Sequence, residues 1–367
     1  LPGEIPQEVL LIGHLFEQGA NDNAAGAAAA LGVIEALRHL PRRRSIRLML
    51  TYEARSLQAC LNSGQTSFDI VAGLNLDMIA VSKDKRVTLG TNRPVFPNFA
   101  PALLRQCFKD HPQYTIHESN FSTMDNALGD PQAGVALPYL LLADDPNYHK
   151  STDQIETLDE SVLADISHVA LSYTHWLVNA DKQHVIALAK QVYEDEAHRL
   201  TAITQHRATH VMLAIQTLES LRLLHDSQDV ADTLAGFRRD LESQYGQGGI
   251  EPMPDDLVPD TIKSWMETCR PRRTFRGFFS FERFLASPVK MDEALLPFVQ
   301  AWNAPAWINY TLMWSNGQRS AADIYALLIT TLPAAIPLPA FIALIRFMSD
   351  QGYLVTAATS QQGETNP

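Results

Sequence analysis

Between Glu8 and about Asp181, short β-like runs alternate with helical ones, and no other feature of the chain narrows its fold as much. "EVLLIGHL" is followed by an alanine-rich helix. "SIRLMLTY", "VAGLNLDMIAV" and "RVTLG" come next, then a helix around Phe99 to Asp110, "LPYLLLA", and a helix after Asp159. Such alternation predicts an α/β fold with a mostly parallel central sheet flanked by helices.

The pattern changes after residue 181. From Lys182 to Tyr245 there is no proline and one glycine, Gly236, and apolar residues such as Ile186, Val192, Leu200, Met212 and Leu218 recur with helical spacing. Two or three helices are expected there. "YGQGGIEPMPDDLVPD" reads as a Gly/Pro-rich linker. Beyond it, "MWSNGQRSAADIYALL" predicts a turn at Asn316-Gly317 and a helix capped by Ser320. "FIALIRFMSDQGYLVTA" gives a helix, a glycine turn and a strand, an order that resembles the end of a winged-helix unit. The expected organisation is an α/β domain over 1–181, a helical segment over 182–245, a linker over 246–260 and a small winged-helix-like module over 261–367.

Composition excludes some functions. The 367 residues are 46% hydrophobic and 19% charged, enough for one large core and a smaller one. A net charge of −12 argues against general affinity for nucleic acid or anionic membrane. The basic runs "PRRRSIR" and "CRPRRTFR" read as solvated edges. Cys60, Cys107 and Cys269 have no metal-like spacing, so neither a disulfide framework nor a thiolate zinc site is indicated. No run of about 18 apolar residues reads as a membrane span. The chain opens on Leu1 rather than methionine and enters a strand within a few residues, which reads as a fragment or processed product.

In an open α/β sheet, reactive groups gather beyond the carboxyl ends of the strands. His14 ends "VLLIGH", Asp22 precedes the alanine helix, Glu53 ends "IRLMLTYE", Asp77 ends "VAGLNLD", and His149 follows "LPYLLLADDPNYH". Each has a bland explanation: an aspartate before a helix is usually its N-cap, and a strand-end histidine is usually a polar loop residue. Five such residues at successive strand ends are harder to explain separately. Two imidazoles and three carboxylates suit a hydrolytic zinc site, in which nitrogen and oxygen hold metal and a free carboxylate takes a proton from water.

"GHLFEQGANDNAAG", "YEARSLQA", "GLNLDMIA" and "DDPNYHKSTDQIETLD", in that order, resemble the metal-binding blocks of the co-catalytic zinc aminopeptidases, a family that also includes glutamate carboxypeptidase. The resemblance spans roughly Glu8 to Asp181 and is greatest to bacterial members with a C-terminal winged-helix module. It implies that Asp22 bridges two zinc ions, that His14 and Asp77 complete one metal's ligands, that His149 serves the other, and that Glu53 is the general base. The substrate would be a peptide or small peptide-like amide.

Three positions depart from that pattern. Ala54 stands where aminopeptidases of this type usually carry a second glutamate, a ligand of the metal that His149 serves. Phe16 stands where an aspartate often orients the first histidine. In "STMDNALGDP", Asp125 is kept but Asn126 replaces a histidine. One zinc is therefore expected, with two as the alternative. The same departures support a second reading, a catalytically impaired member acting as a binding or scaffold module. A third reading, a winged-helix regulator with a degenerate peptidase-like sensor, has less behind it.

Other patterns carry less. "HRATH" spaces His206 and His210 four apart, as in a helical zinc pair, but without the accompanying glutamate, and the two read as a solvated helix face. Ser56, Ser63 and Ser122 lie in no G-x-S-x-G context. Trp302, Trp307 and Trp314 read as packing residues, through which the C-terminal module is expected to dock on the 182–245 helices or on a second copy of the chain, making a homo-oligomer. No nucleic-acid or membrane partner is expected.

Overall fold

The computed structural model describes residues 1–63, 69–120, 128–253, 259–277, 279, 286, 292–301, 304–332 and 336–356, apart from the side chains of Glu53, Ala54 and Ala304. Ser122, Asp125, Asn126 and Trp302 lie outside these residues.

The expected α/β fold is present. Strands β1 (Ile5–His14), β2 (Arg44–Thr51), β3 (Ile70–Asp77), β4 (Arg86–Thr91), β5 (Thr115–Asn120) and β6 (Tyr139–Leu141) form one sheet in the order β2-β1-β3-β6-β4-β5. All neighbours pair parallel except β4 and β6, which are antiparallel. The carboxyl ends of β1, β2, β3 and β6 therefore lie along one edge of the sheet. β3 is buried at every residue, as a central strand covered on both faces must be.

On one face, helices α1 (Ala24–Leu37), α3 (Ala100–Cys107) and α4 (Glu160–Asn179) share a core with Val9, Leu11, Leu74 and Leu76. The alanines of α1 allow it to lie close to the sheet. At Gly26 a Cβ would come within 2.2 Å of the Leu76 carbonyl oxygen. The other face is more thinly covered. There, Leu10 and Ile12 meet Leu57 of helix α2 (Glu53–Asn62) and Leu128, Val135 and Leu137 of the segment before β6.

Three helices follow: α5 (Lys182–Thr201), α6 (Arg207–Glu219) and α7 (Gln228–Tyr245). They join the first core instead of standing apart from it, since Val192, Leu218 and Leu234 belong to that cluster. Buried Glu196 of α5 reaches Arg93 at 2.7 Å and Arg199 at 2.8 Å. Burial opposes its charge, but these guanidiniums hold its carboxyl at about 2. His206 precedes α6 with a left-handed backbone, so it does not share a helix face with His210. His210 is half-buried where a solvated face was expected, and burial, with Arg199 beside it, pushes its imidazole down to about 4.

The C-terminal residues build a second core from Met266, Phe298, Trp307, Trp314, Phe341 and Met348, among others. Its helices are α8 (Asp260–Thr268), α9 (Leu296–Gln300), α10 (Ala304–Trp314), α11 (Ala321–Thr331) and α12 (Leu338–Asp350). The expected cap at Ser320 is present as a capping box with Asp323. Strands β7 (Arg272–Arg273) and β8 (Leu354–Val355) pair antiparallel, and Asn316 bridges to Arg272. Trp307 and Trp314 are buried inside this core. Met212 of α6 and Ile250 and Met253 of the segment after α7 pack against it.

Arg44, fully buried at the start of β2, joins sheet to helices with no carboxylate partner among the described residues. It donates to the carbonyls of Leu177 (3.0 Å), Ala180 (2.9 Å) and Leu224, and to the Gln7 side chain (3.1 Å). One guanidinium thus ties together the end of α4, the turn after α6 and strand β1. Arg44→Ala leaves these buried carbonyls without their donor and opens a cavity. We expect it to lower the unfolding free energy by about 3 kcal/mol or more, read by denaturant titration.

Candidate metal centre

The ends of β1 and β3 place His14 and Asp77 side by side, with the His14 Nε2 3.2 Å from Asp77 Oδ2. Asp22 arrives from the loop that follows β1, its Oδ1 3.5 Å from the same nitrogen. Its other oxygen, Oδ2, lies 3.3 Å from His149 Nε2. The two carboxylate oxygens of Asp22 therefore face two different imidazoles. His14, Asp22 and Asp77 are all buried and bring one ligand atom each within 4.8 Å of one another, the one such triad among the described residues.

Asp22 is not the helix cap. Asn23 caps α1, its side chain accepting from the Gly26 amide at 3.0 Å and donating to the Leu76 carbonyl at 2.9 Å. This leaves the Asp22 carboxylate to face the imidazoles. Asp153 fixes the loop from below, accepting from the amides of Asn21 (2.8 Å) and Asp22 (3.0 Å). The Asn21 side chain is itself held by Asp145 and by the Ala80 amide, each at 2.8 Å. Three separate loops are locked together around Asp22.

A carboxylate also faces the back of His14: its Nδ1 lies 2.9 Å from Glu17 Oε2. The orienting acid expected two residues after the histidine, where Phe16 stands, is supplied one residue later. Tyr139 of β6 donates its hydroxyl to Asp77 Oδ2, while Asp77 Oδ1 is buried without a hydrogen-bond partner among the described residues. Glu17, Asp153 and Tyr139 were missed from the sequence. Asp153 lies within the "YHKSTD" run and so had a local signal, whereas Tyr139 had none in its apolar strand.

His149 differs from His14. Its side chain is 54% exposed, its backbone is left-handed (φ 56°), and it stacks on Tyr148 at 3.8 Å. Glu53 opens α2 immediately after β2, at the same edge of the sheet; its side chain and that of Ala54 are outside the described atoms. An open cavity of about 520 Å³ runs from Asp22 and His149 past Phe16, Glu17, Gly19 and Asp153. Phe16 packs edge-on to Tyr52 at 4.4 Å on its rim, and both rings are exposed.

The electrostatics favour a cation. Burial, reinforced by the Asp77 carboxylate, pushes Asp22 up to about 7 from an ordinary 3.8. Two buried carboxylates sharing one space repel unless a proton or positive charge lies between them. The orphaned Asp77 oxygen and the nitrogen-oxygen donor set fit zinc, which such mixed ligands hold well.

Three kinds of comparison bear on this geometry. Several solved structures resemble part of the chain. A zinc aminopeptidase from Bacillus subtilis is 19% identical, with a TM-score of 0.43, over 49% of this chain and 49% of that one. LapA aminopeptidase of Legionella pneumophila is 13% identical, with a TM-score of 0.41, over 49% and 53%. A leucine aminopeptidase precursor from Bacteroides thetaiotaomicron is 15% identical, with a TM-score of 0.41, over 47% and 73%. The chain thus spans about half the length of the first of these. No curated protein matches it. The model of peptidase family M28 matches residues 2–174, which hold every residue of the centre just described.

Proposed function

We propose that the chain is a zinc-dependent peptidase of the aminopeptidase type, hydrolysing peptides or small peptide-like amides. The observation that carries this reading is the buried His14–Asp22–Asp77 triad opening, through the second oxygen of Asp22, onto His149 and an open cleft. His14, Asp22 and Asp77 would hold zinc, with His149 a further ligand on the side of a second ion. Bound zinc supplies Lewis acidity, acidifying a water and polarising an amide carbonyl. Glu53 takes the proton from the attacking water and returns it to the leaving amine. Glu17 holds the His14 ring so that Nε2 faces the metal side. The acidic residues Glu17, Asp22 and Asp153 of the lining suit a substrate's free ammonium group, and they outnumber its one lysine, Lys150. The C-terminal residues we read as a winged-helix-like module that serves packing or self-association.

Ala54 removes a ligand from the His149 side, so purified protein is expected to carry about one zinc per chain and to hydrolyse aminoacyl reporter amides. Elemental analysis that finds two zinc ions surviving mild chelation contradicts the count, and Ala54→Glu should raise it. Metal retained without hydrolysis of any reporter would favour the binding or scaffold reading instead.

Glu53→Gln should leave the zinc in place and lower turnover by about 10²–10⁴-fold. Single-turnover kinetics combined with metal analysis checks this; lost metal would make Glu53 a ligand.

The raised Asp22 pKa gives a pH signature. Its carboxyl keeps in the folded state a proton that the unfolded chain releases near 3.8, so metal-free protein should lose stability as pH rises from about 4 to about 7. Zinc binds the ionised form and should reverse that trend. Thermal unfolding across this range, with and without zinc, reads both slopes; parallel slopes would exclude zinc at Asp22.

A further inference from the structure

The thinly covered face of the sheet carries helix α2, whose first residue is Glu53. Of its described side chains, Leu57 is the one fully buried residue. A ten-residue helix with so little apolar anchorage is marginal on its own. What holds its far end comes from 200 residues later. Asn62 forms a paired amide contact with the backbone of Arg276, accepting from its N–H at 3.1 Å and donating to its carbonyl at 3.0 Å. Gln58 donates to the same carbonyl.

The segment bearing Arg276 is itself anchored at both ends. Arg273 and Asp130 form a fully buried ion pair, Nη2 to Oδ1 at 2.7 Å, and the other Asp130 oxygen accepts from the Gly277 amide at 2.5 Å. Arg273 also donates to the Gly277 carbonyl at 2.6 Å, closing the turn on itself. Gly277 has φ 84°, and a Cβ there would lie 2.0 Å from the Gln58 side-chain oxygen, so the turn needs glycine both for its backbone and for its approach to α2. Towards its start, Arg273 belongs to β7 and donates its amide to Ser315 at 2.8 Å, while Thr274 donates to Tyr353 at 3.1 Å. The turn is thus built into the second core on one side and buried against Asp130 on the other.

We infer that residues 272–277 brace α2, and that Asn62 and Arg273 are positioning residues for Glu53, acting through the helix. This rests on Glu53 as the general base. In its chemistry the brace is a buried charge pair that fixes a turn, and a turn whose Arg276 peptide is read by two side-chain amides. A general base works only within hydrogen-bond reach of its proton, and a displacement of about 1 Å at such a group can cost about 10²-fold in rate. Residues far from the cleft can therefore matter to turnover without touching metal or substrate.

Asn62 is exposed, so Asn62→Ala should fold. The full chain is compared with Asn62→Ala, Arg273→Lys, Glu53→Gln and the Asn62→Ala/Glu53→Gln double variant. Hydrogen exchange should speed up at the α2 amides in Asn62→Ala and Arg273→Lys while α1 and zinc content stay unchanged. kcat should fall about 10-fold in Asn62→Ala with KM little altered, and Asn62→Ala should cost nothing further once Glu53 is glutamine. Unchanged α2 exchange in both variants overturns the brace, and it can be read even if the chain hydrolyses no reporter amide. Losses that multiply in the double variant overturn the positioning role.

Discussion

Asp22 and Asp77 are buried together beside one imidazole nitrogen, and much of the surrounding architecture keeps them there. Buried carboxylates that face each other repel, and their neighbours cannot simply relax away, because each is fixed by its own scaffold. Asp77 ends a fully buried central strand and takes the Tyr139 hydroxyl. Asp22 sits on a loop whose amides are claimed by Asp153, while Asn23 takes the capping duty that would otherwise occupy its carboxylate. The parallel order of β1, β3 and β6 brings these pieces to one edge. The fold thereby imposes an arrangement that isolated side chains would avoid, and a cation relieves it.

The sheet was legible in the sequence wherever strands were apolar. β1, β2, β3, β4 and β6 each contain a run of hydrophobic residues, and the alanine helix announced itself. β5 was not legible, because "TIHESN" is a polar edge strand and its pairing with β4 is decided by tertiary contact. α2 was also missed, since its apolar residues are few and the sequence around it names a strand end first. Within the site, His14, Asp22, Asp77 and His149 converge as their strand-end positions suggested. Glu17 could not be found by analogy of position, because an aspartate two residues after the histidine and a glutamate three residues after it reach the same ring nitrogen by different routes. A longer side chain makes up for the extra residue, and only the loop's path reveals that it does.

The C-terminal region shows a different limit. Its helices, the Ser320 cap and the Asn316-Gly317 turn follow from local chemistry, and Trp307 and Trp314 are core, as expected of them. Its attachment to the α/β residues does not follow from any local pattern. "CRPRRTFR" looks like a solvated basic run, yet Arg273 is fully buried against Asp130, 143 residues away. Unlike Arg44, whose N–H groups go to several carbonyls, Arg273 is buried against a counter-charge, and either charge left alone there would be costly, so the pair forms only when both segments are folded around it. Removing one partner leaves the other stranded, and the interface therefore has one geometry instead of many.

The two sides of Asp22 are unequal, and this bears on how the proposed centre would fill. On the His14 side, three buried ligands are held in place before any metal arrives, so binding costs little ordering, and the repulsion between Asp22 and Asp77 adds to the gain. On the other side, His149 is more than half exposed and sits in a left-handed backbone conformation that a non-glycine residue adopts only under constraint. Its ring is steadied by stacking on Tyr148, itself exposed. With alanine at position 54, that side would have to attract a second dication using one imidazole and the second oxygen of a carboxylate whose first oxygen already serves the other side. Repulsion between the two ions would fall on the weaker set of ligands, so the sites would fill in sequence, the buried one first.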